Sequence, residues 1–292
     1  LWREDGWLRH RLPPRRVDLA PVSRAAAAAG ITGFTDATPH DDPESLATLS
    51  AAAAEGTIVQ RLHLMSALGI DSPTGGPVKF LLDDDRLPTL DDLTARISAA
   101  HHAGRPVAVH CVTRVQAVVT LAALRSAGSH PGDRVEHGAV IGPSMFGELR
   151  SLGLTVVTQP GFVRTRGDRY LQDVDRADQP DLWRLRSLVA AGVAVAGGTD
   201  APFGPADPWV AIETAADRRT GTGRPLGGAE RVPIADAVAL FSGRPDAPAI
   251  TRLVRPGQPA DLCLLAGPLP AVPPVPPVVA TIVAGRVVYR AG

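Results

Sequence analysis

With 292 residues, 45% of them hydrophobic and 21% charged, the chain has enough apolar material for one large core and a small appendage. Thirty acidic and thirty basic residues cancel without a block of either sign, which argues against a nucleic-acid binder or a polybasic membrane anchor. No apolar run reaches the roughly 18–20 residues needed to span a bilayer, and the two cysteines, Cys111 and Cys263, cannot build a disulfide framework, so a cytoplasmic setting is the expectation.

In chain order, a helix-like segment closing at a glycine is followed by a β-rich apolar run six times. Gly30 precedes Ile31 to Asp36, Gly56 precedes Ile58 to Ala67, and Gly104 precedes Val107 to Val112. Gly128 then precedes Arg134 to His137, Gly153 precedes Thr155 to Gln159, and Gly192 precedes Val193 to Asp200. A glycine just past a helix takes the left-handed conformation that stops it, so the pattern has a mechanism. Asp42-Pro43-Glu44 and Pro88-Thr89-Leu90 read as capped helix starts.

Adding the run around Lys79 gives seven strands, beginning near residues 31, 61, 78, 107, 134, 155 and 194. Alternating strand and helix predicts an α/β fold, with an open sheet or a barrel as the choices, and seven strands are one short of a (β/α)8 TIM-type barrel. About ten residues join the second and third strands, too few for a helical crossover, so no helix is predicted between residues 67 and 78. Residues 1–245 are assigned to this barrel. Residues 246–292 hold β segments without helices, split by the proline-rich stretch Gly267 to Pro277, and are assigned to a composite β-sandwich.

Ionisable residues recur where the strands end: Lys79, His110, His137 and Asp200. In (β/α)8 barrels that end carries the active site. Lys79 is the single lysine among 30 cationic residues and sits in an apolar strand, where a buried lysine, unlike arginine, can offer a neutral amine. Imidazole and carboxylate are zinc ligands, so the four residues predict a metal centre. Strand alternation puts Ala108 and His110 on one side and Cys111 on the other, under a helix, as a small core residue. His101 and His102 read as surface or packing residues, and Asp83-Asp84-Asp85 as a solvated loop.

The segments Val78-Lys79, Val107-Ala108-Val109-His110, Arg134-Val135-Glu136-His137-Gly138-Ala139 and Gly198-Thr199-Asp200-Ala201-Pro202 resemble the metal-dependent amidohydrolase superfamily, in particular its N-acyl-amino-acid deacylase-like branch. Their order fits barrel strands four, five, six and eight, which implies a (β/α)8 TIM-type barrel with seven strands visible and the first missing, and the likeness runs on through Asp207-Pro208-Trp209 to Gly285-Arg286-Val287-Val288-Tyr289. The resemblance implies one or two divalent metal ions, zinc first among them. Lys79, as a carboxylated bridge, His110, His137 and Asp200 would be ligands, and Asp200 would also move the proton. The implied reaction is hydrolysis of an amide or cyclic amide C–N bond of a small molecule by metal-bound hydroxide. The alternatives are a deaminase-type reaction and a metal-poor, non-catalytic barrel.

Arg164, Arg166 and Trp209 are candidate substrate-binding residues, because an arginine fork near the pocket can hold a carboxylate. The partners expected are a small-molecule substrate and, at most, further copies of the chain. One departure stands out. The superfamily carries a His-x-His pair on strand one, and no two histidines here are spaced i, i+2; His40 is the residue nearest in position to replace them. A chain that starts at Leu1 without that pair is expected to be a fragment and, by itself, a poor catalyst.

Overall fold

The structure, a computed structural model, describes Arg11 and residues 17–292; the rest of the stretch before Val17 lies outside the described residues. Helix α1 (Ala20–Ala28) leads into strand β1 (Gly33–His40), helix α2 (Pro43–Ala54) and strands β2 (Arg61–Ser66) and β3 (Val78–Phe80). Helix α3 (Leu90–His102), β4 (Val107–Cys111), α4 (Arg114–Ala127), β5 (Arg134–His137), α5 (Phe146–Ser151) and β6 (Thr155–Thr158) follow. Helices α6 (Gly161–Asp173) and α7 (Arg186–Ala190) then precede β7 (Ala194–Gly197), α8 (Pro208–Asp217) and α9 (Ile234–Leu240). The seven strands pair in sequence order, all parallel, with β1 and β7 at the two ends of the sheet.

The helix boundaries follow local chemistry. All six glycines expected to stop helices have φ between 66° and 83°. Asp42 and Thr89 accept the backbone N–H groups of Ser45 and Asp92, capping α2 and α3. Thr113 and Gln116 form a reciprocal capping box at the start of α4, which fixes how the chain leaves β4. No helix lies between β2 and β3. That loop is tied down instead by Arg105, which donates to the carbonyls of Gly76 and Ile70 and to Ser66.

The sheet sorts its residues by parity. Val78, Phe80, Val107, Val109, Cys111, Val135, Val156 and Val195 join the helices in the main core. Buried apolar area of this kind stabilises at roughly 25 cal/mol per Å². Cys111 lies there as expected, its Sγ 3.2 Å from Thr120 Oγ1 of α4 and its thiol pushed up to about 12 by burial. The alternate residues Lys79, Ala108, Arg134, Thr155 and Ala194 form one cross-strand row on the other face; His110, Glu136, Val157 and Ala196 form the next.

After α9, an antiparallel hairpin, β8 (Gly243–Arg244) and β9 (Ala247–Thr251), packs against β7. Its turn also reaches β1, where Pro245 O accepts from Thr35 Oγ1. The last three strands, β10 (Leu262–Leu265), β11 (Val278–Val283) and β12 (Arg286–Arg290), form a separate antiparallel sheet that packs on α1. Thr281 Oγ1 donates to Ala27 O, and buried Asp261 accepts from both Arg61 of β2 and Arg252. These short strands thus gain the partner that three strands alone need. Among the described residues no helix is long and apolar enough to cross a membrane.

Candidate metal centre

Lys79, His110, His137 and Asp200 come from β3, β4, β5 and the segment just after β7. The His110 and His137 rings meet edge to face with centroids 4.5 Å apart. Asp200 Oδ2 stands 3.9 Å from His137 Nδ1. Lys79 is buried close enough for its charge to act on both His137 and Asp200.

Two backbone distortions assemble this group. His137 pairs in register with Cys111, whose side chain faces the helices, so simple alternation would turn His137 outward too. Its φ of 72° breaks the alternation and sends the ring to the His110 side. Asp200 sits in the same left-handed region at φ 53°. For a residue with a Cβ that conformation costs roughly 1–2 kcal/mol, and such strain gathers at functional sites.

The electrostatics push Lys79, His137 and Asp200 toward their neutral forms. Burial lowers the Lys79 amine below its ordinary value, and Glu136 offsets this only in part. Burial also lowers the His137 imidazole, helped by the Lys79 charge. The Asp200 carboxyl is raised by burial, against the pull of His137 and Lys79. Sequence reasoning missed the residues around them. Arg134 and Glu136, both buried, pair at 2.9 Å on the same face as Lys79 and His110, and the parity of β5 would have flagged them. Gln159, buried at the end of β6, places Oε1 2.9 Å from His137 Nδ1.

A sequence profile of the Amidohydrolase family matches residues 9–289. The chain belongs to this family. The Bacillus subtilis (strain 168) protein YtcJ, named as an amidohydrolase, is 25% identical over 194 residues, which is 65% of this chain and 35% of YtcJ. An uncharacterized metal-dependent hydrolase from Pyrococcus furiosus superposes with a TM-score of 0.64 at 20% identity, covering 76% of this chain and 53% of its own. A mutant atrazine chlorohydrolase from Arthrobacter aurescens TC1, crystallised with zinc, gives 0.63 at 16%, covering 99% and 75%. The chain thus spans about a third of YtcJ and half of the Pyrococcus protein.

For this amidohydrolase chain, the donor types fit a divalent cation: two adjacent imidazoles, a carboxylate, and an amine that burial pushes toward its neutral form. The number gathered is short. Among the described residues no three His, Cys, Asp or Glu side chains stand together as a metal-binding group. His40 is engaged with Asp36 at 3.0 Å on β1. His101 bonds Asp133 and stacks on His130, and His102 bonds the Ser98 carbonyl, so both serve α3 and its neighbours.

Of the three candidate substrate residues, two spend their polar groups on the scaffold. Arg164 is paired with Asp217 of α8, and Trp209 Nε1 donates to Ala29 O while its ring packs on the core. Arg166 differs. Its guanidinium lies 4.4 Å over the Phe162 ring, donates to Phe203 O, and its charge reaches Asp200.

Proposed function

We propose that this chain carries the catalytic half-site of a metal-dependent hydrolase acting on a C–N bond, amide or cyclic amide, of a small molecule. The observation that carries the reading is the meeting of His110, His137 and Asp200 at the C-terminal ends of parallel strands, two of them held in left-handed backbone. His110 and His137 would hold the cation, with Lys79 and Asp200 completing its surroundings. A bound divalent ion supplies Lewis acidity and a nucleophile from water near neutral pH.

The chain's own groups do the rest. Asp200, raised by burial, is suited to hold a proton and release it to a leaving nitrogen. Arg166, one helical segment away, supplies a positive charge for an anionic substrate group. The zinc in the chlorohydrolase neighbour supports zinc as the first metal to test.

The experiment is zinc titration of the metal-free chain together with hydrolysis assays on N-acyl amino acids and cyclic amides. Zinc binding that His110→Ala weakens at least tenfold, with slow zinc-dependent hydrolysis, is the expected result. Lys79→Arg should lower metal content although it keeps the charge, because guanidinium offers no neutral amine. A chain that binds no zinc at any concentration would instead be the metal-poor scaffold.

A further inference from the structure

We propose that Gln159 is a positioning residue that holds neutral His137 in its Nδ1–H tautomer, leaving the ring's lone pair on Nε2. The argument starts from the amide, whose two ends have different chemistry. Gln159 Nε2 lies 3.1 Å from the Val157 carbonyl oxygen, which can only accept, so that end must be the NH2 group. The other end is therefore the oxygen, 2.9 Å from His137 Nδ1. An amide oxygen cannot donate, so the proton of this bond belongs to Nδ1. Turning the amide over would set two oxygens against each other at 3.1 Å within a buried site and lose a hydrogen bond.

The surroundings leave room for the amide. Gly198, whose N–H donates to Thr158 O, has no side chain, and a Cβ there would come within 3.4 Å of Gln159 Nε2. The competing acceptor, Asp200 Oδ2, is 3.9 Å from the same nitrogen, beyond hydrogen-bond range. Histidine in water prefers the opposite tautomer, with the proton on Nε2, so the Nδ1–H form requires a local acceptor, and among the described residues Gln159 is the one within reach. A ligating histidine is commonly held by a second group at its other nitrogen. Only the consequence for metal binding rests on the function proposed above; the tautomer stands on the hydrogen bonds.

The test uses the metal-free full chain, labelled with 15N-histidine, at pH 8, where an ordinary imidazole is neutral. Long-range 1H–15N correlations report which ring nitrogen carries the proton, and His137→Asn assigns the signal. His137 should be protonated at Nδ1 in the native chain. In Gln159→Met it should move to the Nε2–H form, and zinc affinity measured by calorimetry should fall by roughly 10–100-fold. A native chain with its proton on Nε2 overturns the proposal. So does Gln159→Met with the proton still on Nδ1, which would make Asp200 the controlling group. Should Gln159→Met fail to fold, the native spectrum decides alone. Failure of the native chain to bind zinc would remove the metal reading and leave the tautomer to the spectra.

Discussion

The two faces of the seven-stranded sheet are built from the same strands at the same period, yet they obey opposite rules. On the helix side Val107, Val109 and Cys111 are almost fully buried among other apolar groups. On the opposite side Lys79, Arg134 and Glu136 are just as hidden from water and are charged or potentially charged. Burying apolar surface stabilises the fold, whereas burying these groups costs free energy unless a partner compensates. The first face therefore reports stability and the second reports chemistry, and neighbouring residues of one strand should answer differently to substitution.

Val109 and His110 make the sharpest test. Val109→Asp would bury an unpaired carboxylate under the helices and should cost at least about 3 kcal/mol, enough to unfold a large fraction of molecules in urea titration. His110→Ala, one residue on, should shift stability by no more than about 1 kcal/mol, while zinc calorimetry records at least a tenfold loss of affinity. Equal damage from both substitutions would erase the distinction between the faces.

A second contrast is in pH dependence. His63 of β2 is buried, and its imidazole is lowered to about 4, first by burial and then by the charge of Arg134, with Asp246 pulling the other way. Between about 4 and its ordinary value near 6.5, the unfolded chain binds the proton more readily than the folded one. Stability contributed by neutral His63 is therefore present above the ordinary value and lost as pH falls toward 4. Urea midpoints at pH 7 and pH 4.5 should differ less for His63→Gln than for the native chain. An unchanged difference would show that His63 meets no such penalty.

The smallest expected effect concerns the strained mouth. His137→Gly should remove the left-handed penalty but add glycine's greater unfolded freedom and the hydrogen bond lost at Gln159, leaving stability within about 1 kcal/mol of the native chain. The same change deletes the proposed ligand, so zinc affinity should fall while stability stays nearly constant. A His137→Gly destabilised by more than that would mean that the ring's packing against His110 outweighs its backbone strain.

The parts legible in the sequence were those set by local rules. Glycine stops, the Asp42 and Thr89 caps and apolar strand runs each depend on a few neighbouring residues, and the strand starts and the missing helix after β2 follow from them. Lys79 stood out because burial makes lysine and arginine chemically unequal. Arg164 and Trp209 were harder to place, because their partners, Asp217 and Ala29, lie 53 and 180 residues away. Gln159 carried no signal of its own, as a glutamine after an apolar strand is equally compatible with a solvated turn.

The sequence by itself determined the alternation of strand and helix, the apolar outer face and the four ionisable residues at the strand ends, since period and backbone preference act over short range. Only the tertiary structure decided that His137 turns inward against its strand's alternation, that Glu136 and Arg134 pair on the inner face, and that Gln159 meets His137. It also decided that the β8–β9 hairpin packs on β7 and touches β1, and that α1 covers the last three strands. Those outcomes depend on contacts between distant segments, where several placements satisfy the local rules and packing with hydrogen-bond satisfaction selects one.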